Sequence, residues 1–211
     1  MSLAGAPEPF LPLGIGFPPT PKSLVSEVTF AFLDTETTGL SPAGGARVCE
    51  VAVVTSRGGA RVESFQSLLN PGCRIDAGAQ RVHGISDAMV AKSPVFSTVV
   101  PKLRELLDNA VMVCHNAPFD VGFIESEFRH AGLPMPKTPV LDTLQLARRQ
   151  FRFFSNSLGN IAKTLGVEPT GWHRAGNDVE MLRQVFDKML SQLAPKGAKT
   201  LGDLLKLAGA K

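Results

Sequence analysis

The sequence predicts an α/β domain built on a mixed sheet, and three observations carry that prediction. Strand-like runs come first, at residues 28–34, 47–55 and 61–69, joined by short connections. Two further strand candidates, residues 110–114 and 139–141, follow among stretches of helical periodicity. A meander followed by alternating strands and helices gives antiparallel pairing early in the chain and parallel pairing later.

The elements follow in order. Residues 1–24 are rich in Pro, Gly and Ala and read as a flexible lead-in. Residues 25–193 carry the domain, and 194–211 form a basic tail. The run 28–34 is β-branched, aromatic and apolar, as a buried strand requires. Gly58-Gly59 signals a hairpin, and Asn70-Pro71-Gly72 breaks the strand pattern. Helical character starts near Ala77. Ser86 and Ser93 are candidate N-caps, and Pro94 suits a first turn. Val95, Val99, Leu103, Leu106 and Leu107 then form an apolar stripe, with Pro101 as a kink. A helix over 118–131 ends at Gly132. Further helices cover 143–149, 157–165 and 175–193. Leu201, Leu204, Leu205 and Leu207 give the end of the chain an amphipathic pattern, which could dock on its own domain, dock on a partner, or fray.

With 211 residues, 44% of them hydrophobic, the chain suits one domain with a sizeable core. The formal net charge is +3, and residues 191–211, with four lysines and one aspartate, account for all of it. The body is neutral, so nucleic-acid affinity there must come from local placement and metals. Cys49, Cys73 and Cys114 form no C-x-x-C pair, which argues against a zinc site or a disulfide framework and for a reduced, cytoplasmic setting. The N-terminal stretch makes a poor signal peptide, and no apolar run reaches membrane-spanning length.

The chemistry begins at Asp34 and Glu36, in Asp34-Thr35-Glu36-Thr37-Thr38-Gly39. Strand period two puts both acids on one face. Paired negative charge where a core should begin costs free energy unless a cation binds. Asp120 stands at a helix start after the strand 110–114, and Asp178 at the start of the last long helix. If the two strands are neighbours, and if the last helix packs back, four carboxylates converge. Without cations they repel and titrate together. Oxygen-only ligands select Mg²⁺ or Mn²⁺. Two such ions, about 3.5–4 Å apart, form the clamp used for in-line phosphoryl displacement. His173, five positions before Asp178, suits a general base near neutral pH.

These three segments, Asp-x-Glu-Thr-Thr-Gly, Asn116-x-x-Phe119-Asp120 and His173-x-x-x-x-Asp178, in this order, resemble the motifs of the DEDDh 3′→5′ exonucleases. Among that family they are most similar to the proofreading (epsilon) subunits of bacterial replicative polymerases. Glu50, His83-Gly84-Ile85-Ser86 and Leu141-Asp142-Thr143 resemble further family landmarks. The resemblance spans residues 28–190 and implies a ribonuclease-H-like five-stranded mixed sheet flanked by helices. It implies two metals, Mg or Mn, held by Asp34, Glu36, Asp120 and Asp178, with His173 as the base. It also implies that Thr37, Leu40, His83, Asn116 and Phe119 bind substrate, a 3′ end of single-stranded or frayed DNA. Removal of nucleoside monophosphates in proofreading or repair follows from it, with a DNA polymerase subunit as partner and no membrane. RNA 3′ ends, or short oligoribonucleotides, are the alternative substrate. A docking module for a polymerase or repair complex is the alternative of another class.

Several residues carry two readings. Glu50 either orients the site or is a strand acid with a local partner. Asp142 reads as a cap rather than a fifth ligand, and His115 as a structural strand-end residue. The cluster Arg148-Arg149-Gln150-Phe151-Arg152-Phe153-Phe154 reads as a helix end with core phenylalanines, or as a nucleic-acid contact. Trp172 either stacks on a base or covers the core.

Overall fold

The computed structural model describes residues 18–168 and 174–209. Its centre is a five-stranded sheet: β1 (Thr29–Thr37), β2 (Val48–Arg57), β3 (Ala60–Leu68), β4 (Val111–Cys114) and β5 (Val140–Asp142). The strand order is β3-β2-β1-β4-β5. β1, β2 and β3 pair antiparallel, while β4 pairs parallel to both β1 and β5. Gly58 and Gly59 turn β2 into β3 with φ of 58° and 81°, a geometry that admits glycine at little cost.

Among the described residues, eight α-helices accompany the sheet: α1 (Ala77–His83), α2 (Asp87–Val90), α3 (Phe96–Leu107), α4 (Ala117–His130), α5 (Thr143–Gln150), α6 (Leu158–Thr164), α7 (Ala175–Leu193) and α8 (Leu201–Ala208). The period of β1 divides the core in two. Phe30 and Phe32 face α7, where Phe186 meets both rings edge-on at 5.0 and 5.4 Å. Ala31 and Leu33 face the other way, toward Leu103 of α3 and Phe123 and Phe128 of α4. The positions 179, 182, 186, 189 and 193 form the apolar stripe that seats α7 on the sheet. Truncating Phe186 to Ala would cost about 3–5 kcal/mol.

Two boundaries differ from the sequence expectation. β1 does not end at Asp34. It runs on to Thr37 because β2 keeps pairing with it, Glu36 opposite Glu50 and Thr37 opposite Val48. β4, in contrast, pairs only with Phe30 to Phe32, so the last third of β1 has lost its strand neighbour on that side. α3 begins at Phe96, not at Ser93-Pro94. The Pro94 carbonyl accepts the Asn70 N–H at 2.9 Å, and Val95 is extended, so both residues belong to the preceding loop.

The two ends of the described chain meet. Leu24 bridges to Thr200, the Leu201 N–H donates to Ser23 O at 2.9 Å, and the Gly202 N–H donates to Pro21 O at 2.8 Å. A side chain at Gly202 would collide with that Pro21 carbonyl. Thr200 and Asp203 form a reciprocal capping box. Leu201 and Leu204 of α8 are buried in the α7-side core, so the amphipathic end docks on its own domain. Among the described residues, no helix is long and apolar enough to cross a membrane.

Candidate active site

The early end of β4 creates the site. With no strand beside Thr35, its N–H needs another acceptor. Asp120, in the first turn of α4, supplies one: the Thr35 N–H and hydroxyl both donate to Asp120 Oδ1, at 3.1 and 2.8 Å. Asn116 makes the tight entry to α4 in the left-handed region, at φ 74°. Its N–H donates to Asp142 Oδ1, which also caps α5 through Leu144 and Gln145. Asp142 is therefore a cap.

Asp34 and Glu36 lie on the opposite face from Thr35, as period two requires. There α7 brings Asp178, and one carboxylate oxygen from each of the three lies within 4.8 Å of the others. All three are half-buried. The charges oppose each other. Burial, then the Asp120, Glu36 and Asp178 carboxylates, push Asp34 well above the ordinary carboxylate range. Burial, then Asp178 and Glu50, push Glu36 up to about 8. Burial also raises Asp120, against the lowering effect of the Thr35 hydrogen bonds.

The donor set fits a hard divalent cation. It is all oxygen, and the spacing suits ligands about 2.0–2.6 Å from a shared ion. His173 lies outside the described residues, as does Trp172.

Two buried glutamates hold the helices that carry the outlying acids. Glu127 of α4 takes Arg47 Nε and Nη2 at 2.8 and 2.7 Å and the Val48 N–H at 3.0 Å. That fixes α4, and so Asp120, to the start of β2. Glu50 of β2 takes Arg174 Nη2 at 2.8 Å, Gln66 Nε2 at 2.9 Å and the Ala175 N–H at 3.1 Å, fixing the start of α7. Sequence reasoning missed Thr35, Arg47, Glu127, Gln66 and Arg174. Thr35 had a visible signal, since it alternates with the two acids. The others pair across 16 to 124 positions and gave none.

A cavity of about 410 Å³ opens beside the trio, lined by Glu36, Leu40, Val82, His83 and Phe119 among others. Leu40 is 89% exposed. His83 Nδ1 accepts the Ile85 N–H at 3.0 Å, so Nε2 carries the proton and donates to Thr37 O at 3.2 Å. The Thr37 hydroxyl donates to Gly39 O at 2.7 Å. These bonds set the backbone that carries Leu40 to the cavity rim. Asn116 is exposed on the α4 side of the same sheet edge and does not line the cavity. His115 bonds Thr143 Oγ1 and Asn156 O, both at 2.9 Å, and is structural. The aromatic-basic cluster splits: Phe151 and Phe153 stack at 5.2 Å against the core, whereas Phe154 is fully exposed.

The family model described as "Exonuclease" matches residues 31–186. A DNA polymerase III of PolC type from Bacillus cereus is 38% identical over 82% of this chain. The 3′-5′ exonuclease DinG of Bacillus subtilis is 34% identical over 85%, and an epsilon-like protein of Rhodobacter capsulatus 36% identical over 86%. The chain spans only 12%, 19% and 26% of those three proteins. Among solved structures, Exonuclease X in complex with 5′ overhanging duplex DNA aligns at a TM-score of 0.68 and 26% identity, over 85% of this chain and 99% of that one. Escherichia coli Exonuclease I with a dT13 oligonucleotide shares the fold, at a TM-score of 0.71 and 18% identity, over 81% of this chain and 42% of that one. The matched span begins in β1, ends in α7 and contains Asp34, Glu36, Asp120 and Asp178. This chain belongs to the exonuclease family.

Proposed function

We propose that the chain is a divalent-metal-dependent 3′→5′ exonuclease that releases nucleoside monophosphates from DNA ends by phosphodiester hydrolysis. The observation that carries this reading is the trio Asp34, Glu36 and Asp178, its oxygens within 4.8 Å beside an open cavity. Asp120 is not one of that trio; it stands on the other face, on α4, where its charge still acts on Asp34, and its place as a fourth ligand is part of the proposal. Bound at these four acids, two Mg²⁺ or Mn²⁺ ions supply Lewis acidity toward the phosphate and the attacking water.

The chain's own residues supply the rest. Burial and mutual repulsion favour the protonated forms of Asp34 and Glu36, so a cation bound there would offset the charge they carry when ionised. His173 takes the proton of the attacking water, a role its imidazole suits near neutral pH. Leu40, Val82 and Phe119 offer an apolar surface to the terminal nucleoside, next to the reacting phosphate. His83 and Thr37 hold that wall in place through backbone bonds. Thr35 orients Asp120. Relatives named as polymerase III proteins support DNA as substrate and work beside a polymerase or repair assembly. The three free cysteines favour a reducing, cytoplasmic setting.

The test uses DNA and RNA oligonucleotides labelled at either end, with Mg²⁺ or with excess chelator. The expected result is stepwise shortening of 5′-labelled DNA, absent in chelator and in Asp178→Ala. Undiminished cleavage in chelator, or digestion from the 5′ end, contradicts the reading. Faster cleavage of RNA would move the substrate to RNA. An intact oligonucleotide under all conditions would leave the docking-module reading.

A further inference from the structure

The geometry around Glu50 points to a role beyond seating a helix. Arg174 pairs with Glu50, the cross-strand neighbour of Glu36, beside the acids that the proposed function assigns to a metal ion. Its backbone carbonyl accepts the Asp178 N–H at 3.1 Å, so Arg174, extended at the N-cap, directly precedes the turn of α7 that carries Asp178. Glu36 lies opposite Glu50 in the β1–β2 ladder. An arginine fork matches a carboxylate well, and would offset part of the trio's charge and occupy its oxygens without any metal.

Glu50 prevents this. Its side chain is 1% exposed and takes both Nε and Nη2 of Arg174, with Nε 3.3 and 3.2 Å from its two oxygens. Gln66 Nε2 and the Ala175 N–H hold the same carboxylate from two other directions. Gln66 itself packs tightly on Gly176, where any side chain would overlap its amide. The Glu50 carboxylate is thus held by Gln66 and the Ala175 N–H as well as by Arg174, and Arg174 is engaged there.

We propose that Glu50 is a positioning residue that sequesters Arg174, so that a divalent cation and not the guanidinium neutralises Asp34, Glu36 and Asp178. The proposal rests on the metal-cradle reading of that trio. It differs from a plain structural clamp in one respect: the harm done by losing Glu50 should come from Arg174, and should vanish when Arg174 is also removed.

Calorimetric titration of the full chain with Mn²⁺ tests this without substrate. Glu50→Gln keeps the shape of the side chain and the acceptor for the Ala175 N–H. Freed from its partner, Arg174 should then weaken Mn²⁺ binding by about tenfold or more. The double variant Glu50→Gln/Arg174→Gln should bind within about threefold of the wild type. Unchanged binding in Glu50→Gln, or a double variant as weak as the single one, overturns the proposal. If Glu50→Gln does not fold, Arg174→Gln alone decides: binding as tight as wild type supports sequestration, and a tenfold loss contradicts it. Asp34→Asn separates the two levels of the argument. Wild-type Mn²⁺ binding in that variant removes the cradle reading and the proposal with it; lost binding leaves the Glu50 variants to decide.

Discussion

On the α4 face of β1, Asp120 reaches the site with Oδ1 already engaged by two donors from Thr35, on a helix fastened by Glu127 to Arg47. On the α7 face, Asp34, Glu36 and Asp178 stand within 4.8 Å of one another, and burial and mutual repulsion raise Asp34 and Glu36. One face is held by hydrogen bonds the protein makes for itself. The other crowds like charges together. The difference teaches where the proposed cation would matter: Asp120 is oriented without it, whereas the crowded charge of the trio is what a cation would offset. Each face uses the same device to place its helix, a buried glutamate gripping an arginine and a backbone N–H.

The largest effect should come from the α7 face. Asp178→Asn leaves α7 in place and should lower kcat/KM by on the order of a thousandfold, read from single-turnover cleavage of labelled DNA. A loss under tenfold would place the essential charge elsewhere. The held face should answer in stability first. Arg47→Met strands Glu127, 2% exposed, with only the Val48 N–H, and should cost about 3 kcal/mol in urea unfolding. A cost equal to that of an exposed pair would make the clamp incidental.

Thr35→Val removes one of the two donors to Asp120 and keeps the other. It should lower kcat by about tenfold at saturating metal, with Mn²⁺ affinity nearly unchanged. A large loss of metal affinity would dissolve the contrast between the faces. The pH dependence sharpens it. Glu36 is raised from 4.5 to about 8, and Asp34 is raised too, so the unfolded chain ionises before the folded one. Metal-free stability must therefore fall as pH rises from about 4.5 to 8. Thermal unfolding in chelator should show that fall, and Mn²⁺ should reverse it. The smallest effect is Leu40→Ser at the exposed cavity rim, which should raise KM severalfold and leave the unfolding midpoint unchanged.

Much of this was legible in the chain. Period two placed Asp34 and Glu36 together because a strand face is a local property. Asp120 and Asp178 were visible as acids at helix starts. The hairpin at Gly58-Gly59 and the stripe on α7 were equally local. What stayed hidden depended on where partners stop. Thr35 matters because β4 pairs only as far as Phe32, which no residue in β1 announces. Ser93-Pro94 reads as a helix start, but a distant N–H from Asn70 holds Pro94 in a loop. Glu50 was ambiguous because its arginine is 124 positions away. Phe154 was indistinguishable from Phe151 and Phe153 until packing separated them.

The contrast reduces to one measurement: Mn²⁺ titrated calorimetrically into wild type, Asp178→Asn and Thr35→Val at one pH near neutral. A cation held chiefly by the trio requires that Asp178→Asn lose most of the binding and Thr35→Val keep it. Equal, wild-type-like binding in all three proteins would contradict the assignment of Asp34, Glu36 and Asp178 as the metal cradle.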